Sequence, residues 1–248
     1  MNVLSLFAGM SCGQIALNRI GIKPTNYYAA EVDKYAIQVT QANYPNTKQM
    51  GDVTKWREWD INWSSIDLLI GGSPCQGFSF AGKQLAFDDP RSKLFFVYVD
   101  ILNHIRSVNP RVKFMLENVK MKKEYLAIIS EQQGVEPVFI NSALVSAQKR
   151  QRYYWSNWTI EPPEDRGVLL ADILESEGEI QSEGWHEWWE KNKEFQIGKK
   201  YSQIANENEK AITMTARQYA SWNGNFVKTV KFNNRIKGVT EDDRGIRY

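Results

Sequence analysis

Two cysteines, Cys12 and Cys75, are the only thiols in this chain of 248 residues. Two thiols are too few for a disulfide framework. Together with His104 and His186 they show none of the paired spacings of zinc ligands, so the sequence predicts no metal site. Each cysteine is therefore either a small core residue or a reactive thiol. For Cys75 taken alone, the usual behaviour of cysteine favours the core.

The surroundings of Cys75 favour chemistry. It follows an apolar run at 66–71 (IDLLIG) that predicts a strand, and open α/β sheets bind ligands beyond the carboxyl ends of their strands. Pro74 restricts the backbone just before the thiol. The polar, glycine-containing segment 77–92 (GFSFAGKQLAFDDPRS) is typical of a loop that closes over a substrate.

Further polar groups stand at or near predicted strand ends. Glu117 and Asn118 close the run 113–119 (KFMLENV), where a carboxyl group could bind the edge of a heterocycle or simply cap a turn. Arg150 and Arg152 alternate, so on a strand both side chains would project from one face. That arrangement suits contacts to phosphates or bases, and the alternative is a solvated basic patch.

A second group of residues suits a nucleoside. The first apolar run, 3–7 (VLSLF), leads into a small-residue turn that ends at Gly13, and glycine lets a backbone approach a ligand closely. Glu31 ends the second apolar run, where carboxylates of nucleotide-binding sheets accept hydrogen bonds from ribose hydroxyls. Asp52 follows a short third segment and could face an adenine amino group. Either acid could equally cap a helix, but the ordered set favours an adenosine-containing cofactor.

The elements that position these residues alternate in type. A mainly parallel, Rossmann-like α/β sheet with helices on both faces is therefore expected. Apolar runs predict strands at 3–7, 27–32, 66–71, 113–119, 138–145 and 152–158, and helical spacing predicts helices at 14–20, 33–43, 92–108 and 123–132.

The pattern weakens after residue 160, where EPPEDRG (161–167) is typical of a linker. We expect a catalytic domain at 1–158 and a small, irregular target-recognition region at 159–248. The formal charge is +5 over 1–160, −8 over 161–194 and +5 over 195–248, giving the net +2. Two basic segments are compatible with a nucleic-acid partner, although a solvated surface explains the acidic one.

The chain shows no apolar run of membrane-spanning length, and its first residues (MNVLSLFAGM) lack the basic region of a signal peptide. The expectation is a cytoplasmic protein with no membrane partner.

Together these motifs resemble the cytosine-C5 DNA methyltransferase family, in the family's order, from Asn2 to about Trp155. FAGMSCG matches its S-adenosylmethionine-binding turn, GGSPCQGFS its catalytic Pro-Cys motif, ENV its glutamate motif and QKRQR its Q-x-R-x-R motif. The ordered set reverses the interpretation of Cys75, which becomes a nucleophile. The resemblance implies an AdoMet-dependent methyltransferase fold, double-stranded DNA as substrate, a flipped cytosine and a covalent bond from Cys75 to C6.

The resemblance also implies roles residue by residue. The residues implied to be catalytic are Cys75, Glu117, Arg152 and Arg150. Those implied to bind S-adenosylmethionine are Phe7, Ala8, Gly9, Ser11, Cys12, Gly13, Glu31, Val32, Asp52, Val53, Gly72, Pro74 and Leu94. Those implied to contact DNA are Gln76, Ser79, Lys83, Gln84, Arg91 and Gln148.

Two departures from the family pattern matter. Ser11-Cys12 stands where many members have two glycines, which leaves cofactor binding expected. The segment 211–217 (AITMTAR) loosely resembles the ninth motif, but no confident match to the closing Gly-Asn-x-Val motif follows it. Because the family contains split enzymes, we expect either a shortened form or a second polypeptide that completes the cofactor pocket.

Three alternatives remain at this stage. An RNA cytosine methyltransferase would use the same PCQ and ENV residues, although the region 161–210 occupies the place of a DNA target-recognition domain. A non-catalytic DNA-binding subunit would explain the missing closing motif but leaves Cys75, Glu117 and Arg152 unexplained. A dinucleotide-dependent reductase lacks the G-x-G-x-x-G spacing. The compact size favours a bacterial or phage origin.

Overall fold

The first strand, β1, begins the central sheet because its side chains are apolar on both sides. In a computed structural model of the protein, which describes residues 1–74, 93–174, 203–213, 225–228 and 246–247, Val3, Leu4 and Leu6 are fully buried. Such continuous burial is typical of an inner strand of a parallel sheet with both faces covered.

Seven strands form this sheet in the order β3-β2-β1-β4-β5-β7-β6. Neighbours from β3 to β5 are parallel, and β7 runs antiparallel to β5. The strands are β1 (Asn2–Leu6), β2 (Asn26–Ala30), β3 (Lys48–Gln49), β4 (Leu68–Gly71), β5 (Lys113–Val119), β6 (Val138–Asn141) and β7 (Gln151–Ser156).

Within the part of the chain that the structure describes, four α-helices connect or follow these strands, together with short 3₁₀ turns. The helices are α1 (Cys12–Arg19), α2 (Lys34–Asn43), α3 (Leu94–Val108) and α4 (Lys123–Gln133). The 3₁₀ turns are Val53–Glu58, Trp63–Ser65, Ser142–Leu144 and Leu170–Asp172. Helix α2 begins where the Asp33 carboxylate accepts hydrogen bonds from the backbone N–H groups of Tyr35 and Ala36.

Helices cover both faces of the sheet. On one face Leu17 of α1 packs with Val3 and Ala29, and on the other the apolar stripe of α3 packs with Leu4 and Leu6. Helix α3 forms this stripe because its buried residues recur at helical spacing. The members of the stripe are Phe95, Tyr98, Val99, Ile101, Leu102 and Ile105.

The expected mainly parallel α/β architecture is confirmed. Most element bounds differ from the prediction by one or two residues, and two further differences are more informative. The sixth strand ends at Asn141 rather than 145, because the Asn141 side chain accepts a hydrogen bond from the N–H of Ala143 and starts a 3₁₀ turn. Strand β3 has only two residues, too few to leave an alternating pattern in the sequence.

The chain divides into two compact units, 1–140 with 152–162, and 141–151 with 163–248. Within the second unit, β8 (Gln203–Asn206), β9 (Asn225–Lys228) and β10 (Ile246–Arg247) form a three-stranded sheet in the order β10-β9-β8. A small buried cluster of Ala147, Leu170, Ala205 and Ala211 also belongs to this unit. The functional roles expected for 1–158 and 159–248 stay predictions.

Within the described ranges, none of the helices combines the length and apolar character that crossing a membrane requires.

Candidate active site

The predicted site residues of the first unit meet at one edge of the sheet. Strands β1, β2, β4 and β5 are parallel, so the segments that follow them leave from the same edge. Because β7 is antiparallel to β5, it begins at that edge, and its second residue, Arg152, pairs with Val119. The sheet topology therefore places Arg152, from a later strand, beside the end of β5.

The turn after β1 has an unusual backbone. Phe7, Gly9 and Ser11 have φ angles of 57°, 54° and 66°, in the left-handed region that side-chain-bearing residues seldom adopt. Ser11 is fully buried, and its hydroxyl accepts a hydrogen bond from Gln14 Nε2 at 3.2 Å. Cys12, the first residue of α1, is exposed. Strain in two non-glycine residues is typical of a turn that is shaped for a ligand.

Gly13 cannot be replaced without movement of its neighbours. A Cβ atom on Gly13 would lie 2.4 Å from Ile70 Cδ1 and 2.6 Å from the hydroxyl of Tyr27. Burial raises the pKa of Tyr27 to about 12, so this hydroxyl stays protonated at neutral pH. The glycine therefore lets α1 approach β2 and β4 closely.

Glu31 joins the turn after β1 to the end of β2. Its Oε2 accepts a hydrogen bond from the N–H of Gly9 at 2.7 Å, and its Oε1 accepts from Val32 and Asp33 at 2.8 and 2.9 Å. A carboxylate can accept about four hydrogen bonds, so capacity for a hydroxyl group remains. The Val32 side chain beside it is 71% exposed and open to contact.

Asp52 caps the 3₁₀ turn Val53–Glu58. Its Oδ1 accepts hydrogen bonds from the backbone N–H and the hydroxyl of Thr54, and these hold the pKa of Asp52 below its usual value. Val53 is buried in the core, whereas Asp52 is exposed. Leu94, at the start of α3, packs partly buried against the same core. The cap that the sequence left as an alternative for Asp52 is present.

Glu117 and Arg152 form the charged centre of this edge. Arg152 Nε lies 2.5 Å from Glu117 Oε1, with 13% and 31% of the two side chains exposed. A Cβ atom on Gly72 would lie 3.0 Å from Glu117 Oε2. The backbone that leads from β4 towards Cys75 therefore passes directly against the carboxylate.

Asn118 holds the same stretch of backbone through hydrogen bonds to Ser73. Its Nδ2 donates to the Ser73 hydroxyl at 3.2 Å and lies 3.4 Å from the Ser73 carbonyl, and both residues are buried. Its Oδ1 accepts a hydrogen bond from the N–H of Val119. The sequence placed Asn118 at a strand end without this role, and no local pattern in KFMLENV records its pairing with Ser73.

Several predicted residues lie outside the described residues, and Pro74 is the last described residue before them. They are Cys75, Gln76, Ser79, Lys83, Gln84 and Arg91.

Arg150 lies just before β7 rather than on it. Its N–H donates to Asn141 Oδ1 at 3.0 Å, and its carbonyl accepts from the N–H of Ser142 at 3.0 Å. Gln148 forms a parallel bridge with Ala211. The structure thus places Gln148 and Arg150 in the second unit, in the segment 141–151. Because Arg150 lies outside β7, the condition for the predicted common strand face with Arg152 is not met.

Comparison with known families gives one match that spans most of the chain. The family described as C-5 cytosine-specific DNA methylase matches residues 1–244.

Curated relatives come from bacteria and phages. A type II methyltransferase of Lactococcus lactis subsp. cremoris, M1.ScrFI, is 30% identical over 247 residues, covering 88% of this chain and 61% of the relative. The type II methyltransferase M.HhaI of Haemophilus parahaemolyticus is 30% identical, covering 73% of this chain and 59% of the relative. An orphan methyltransferase of Bacillus phage rho11s is 41% identical over 122 residues, 48% of this chain and 23% of the relative. The chain thus spans at most about three fifths of the length of these relatives.

Solved structures share the fold. The Dnmt2 methyltransferase of S. pombe superposes with a TM-score of 0.62 at 16% identity, covering 100% of this chain and 82% of that one. The methyltransferase EhMeth of Entamoeba histolytica gives 0.69 at 15% identity, covering 100% and 82%. The predicted methyltransferase fold is confirmed.

Proposed function

The chain belongs to the C-5 cytosine-specific DNA methylase family, and we propose that it transfers a methyl group from S-adenosylmethionine to C5 of a cytosine in double-stranded DNA. The observation that carries the proposal is the Glu117–Arg152 pair, which lies against the backbone leading to Cys75. Addition to a pyrimidine ring requires a nucleophile together with a carboxyl group and a cation, and Glu117 and Arg152 supply the last two at this edge of the sheet.

The residues at the ends of β1 and β2 fit S-adenosylmethionine. The turn from Phe7 to Gly13 has a strained backbone and leads into a helix that starts close to the sheet. Glu31 can accept a further hydrogen bond, and the exposed Val32 lies beside it. The cofactor, when bound, supplies an electrophilic methyl group. Residues proposed to hold it are Phe7, Ala8, Gly9, Ser11, Cys12, Gly13, Glu31, Val32, Asp52, Val53, Gly72, Pro74 and Leu94.

The proposed chemistry begins with a base flipped out of the duplex. The Cys75 thiolate adds to C6, and the electron pair of the C5–C6 double bond makes C5 nucleophilic. C5 takes the methyl group as the bond between that methyl and the cofactor's sulfur breaks, which leaves S-adenosylhomocysteine. The C5 proton then leaves to a base, and elimination at C6 releases Cys75. A thiol suits both steps because it adds and leaves readily.

Glu117 and Arg152 stabilise the adduct in this proposal. Glu117 holds the N3 and N4 edge of cytosine and shares a proton with N3, which draws electron density away from C6 as the thiolate attacks. Arg152 orients the Glu117 carboxylate through their ion pair and faces the O2 side of the ring. The resemblance implies that Arg150 assists Arg152 in stabilising the adduct, and we propose that it contacts DNA as well. Gln148, Gln76, Ser79, Lys83, Gln84 and Arg91 are assigned to DNA.

The assignment of Cys75 is tested by methyl transfer and by trapping. Cys75→Ala should abolish transfer of labelled methyl to duplex DNA while S-adenosylmethionine still binds. In DNA that carries 5-fluorocytosine, the wild-type protein should accumulate a covalent adduct, because fluorine at C5 cannot leave as a proton does. Full methyl transfer by Cys75→Ala would refute the mechanism.

Duplex DNA and transfer RNA, offered as competing methyl acceptors, separate the hypothesis of a DNA methyltransferase from that of an RNA methyltransferase. The expected second polypeptide stays a prediction. Comparing methyl transfer to DNA by the chain alone with methyl transfer by a mixture of the chain and a candidate second polypeptide tests it.

A further inference from the structure

Lys210 places its charge among backbone carbonyls of the second unit. Its Nζ lies 2.6 Å from the carbonyl of Ala143, 2.7 Å from that of Val168 and 3.2 Å from that of Ser146. An ammonium group has three N–H donors, so the three carbonyls match its donor number, and hydrogen bonds from a charged donor are stronger than neutral ones. Lys210 therefore acts as an internal clamp rather than as a surface charge.

Two of the three carbonyls belong to the segment 141–151, which runs from the last residue of β6 to the first residue of β7 and contains a 3₁₀ turn and a single bridge at Gln148. Hydrogen bonds join the two ends of the segment: the N–H of Arg150 donates to Asn141 Oδ1, and the carbonyl of Arg150 accepts from the N–H of Ser142. Inside it, the Ser142 hydroxyl donates to the Gln148 carbonyl at 2.7 Å. These local bonds shape a loop, but ordering a loop costs about 1–2 kcal/mol of backbone entropy per residue.

Residues next to Lys210 attach to the same segment. The N–H of Lys149 donates to the Ala211 carbonyl at 2.8 Å, and the N–H of Ala211 donates to the Ala147 carbonyl at 2.7 Å. The Thr213 hydroxyl donates to the Lys149 carbonyl at 2.7 Å. The stretch 210–213 thus holds 143–149 at several points along its length.

We propose that Lys210 is a positioning residue for DNA binding: it holds the segment 141–151 in the conformation that presents Gln148 and Arg150 to the duplex. This inference rests on the proposed function. A segment already ordered in the free protein loses less entropy on binding, so its affinity for DNA is higher. Lys210 acts through the loop, because its ammonium faces carbonyls within the protein.

Affinity for an unmethylated duplex at fixed salt gives the first test. Lys210→Met keeps the aliphatic stem and removes the donors, so the Kd for DNA should rise about tenfold, the size of losing one charge-assisted contact. The Kd for S-adenosylmethionine should not change. Lys113→Met is the matched control, because it removes the same charge from an exposed lysine. Lys113 lies at the amino end of β5, whereas Glu117 lies near the carboxyl end of that strand. An unchanged DNA Kd in Lys210→Met would overturn the proposal.

A double-mutant cycle separates positioning from general stabilisation. In the background Gln148→Ala/Arg150→Ala, Lys210→Met should weaken DNA binding by less than twofold, because the groups that it positions are already absent. A full tenfold loss in that background would contradict the proposal.

Thr213→Val supplies a milder variant should Lys210→Met fold poorly, as judged by thermal unfolding. It removes one tether to the same segment, so the DNA Kd should rise about threefold and again not in the double-alanine background. Equal DNA affinity of Thr213→Val and wild type would count against the clamp. If the wild-type protein neither binds nor methylates DNA, the proposed function fails; if it does both and Lys210 has no effect, only this inference fails.

Discussion

Glu117 and Arg152 come together because β5 and β7 run in opposite directions. In the register of this pair Arg152 lies opposite Val119, so Glu117 is its diagonal neighbour on the same face. Diagonal side chains on antiparallel strands are within reach of each other when one of them is long. The residue types at the two strand ends were predictable, whereas their contact depends on a strand order that local patterns do not encode.

Glu117→Gln tests the carboxyl group with little change in shape. Glutamine cannot share a proton with N3 of cytosine, so kcat should fall about 100-fold or more, the usual size of a lost general acid. Binding of S-adenosylmethionine should persist. Glu124→Gln, at an exposed carboxylate on α4, is the control and should leave kcat unchanged. A kcat within twofold of wild type in Glu117→Gln would exclude an acid role.

Asn118 shows why part of the site escaped prediction. Its hydrogen bonds to Ser73 join residues that are 45 positions apart, and no local pattern records such a pairing. The same holds for Lys210, whose acceptors lie 42 to 67 residues away. Sequence patterns located the ends of strands; which polar atoms meet across those ends follows from the folded sheet.

At the scale of elements, the apolar runs in the sequence predicted the inner strands well because each of those strands is buried. Val3, Leu4, Leu69, Phe114 and Leu116 are all fully buried, so an apolar run was unavoidable there. Short elements carry no such pattern. Neither the two-residue β3 nor the 3₁₀ turn Val53–Glu58 buries enough residues to reveal itself.

Gly13→Ala tests the close approach of α1 to the sheet. Alanine inside a helix normally stabilises it relative to glycine by about 1 kcal/mol. Here the added Cβ would meet Ile70 and Tyr27, so the free energy of unfolding should instead fall by about 1–3 kcal/mol. Urea unfolding measures the change. Adding Tyr27→Phe and Ile70→Val, which remove the two opposing atoms, should recover most of it; a stable Gly13→Ala protein would show that the contact is easily relieved.

The cap at Asp52 predicts a pH-dependent contribution to stability. Hydrogen bonds from Thr54 favour the ionised carboxylate and lower the pKa of Asp52 in the folded state. The contribution is therefore present above the ordinary pKa of an aspartate and is lost as pH falls through the lowered value. At pH 7, Asp52→Ala should lower the free energy of unfolding by about 0.5–1 kcal/mol, the low end for a cap because the site is exposed.

Urea unfolding over a pH series measures that contribution. The difference between wild type and Asp52→Ala should shrink steadily as the pH falls below the usual aspartate range. Asp60→Ala, at an exposed carboxylate with no capping role, should show no such pH-dependent difference. A difference for Asp52 that is constant with pH would mean that its ionisation does not matter.

At the scale of the whole molecule, the small net charge of +2 conceals an uneven distribution. Segments 1–160 and 195–248 each carry +5, and 161–194 carries −8. Lys83, Arg91 and Arg150 are the cationic side chains among the proposed DNA contacts. Binding to DNA releases counterions in proportion to the phosphates that cations neutralise, so these residues rather than the net charge set the salt response.

Three phosphate contacts predict a slope of about −2.7 for the logarithm of the binding constant against the logarithm of salt concentration, at about 0.9 per contact. Affinity should then fall roughly 40-fold between about 50 and 200 mM salt. Arg150→Ala should reduce the slope by about one, while Lys113→Met should leave it unchanged because that charge lies at the amino end of β5. Fluorescence anisotropy of a labelled duplex over a salt series gives both slopes. A steep slope that alanine at Lys83, Arg91 or Arg150 does not reduce would place the phosphate contacts elsewhere in the chain, and a flat slope would argue against phosphate contacts altogether.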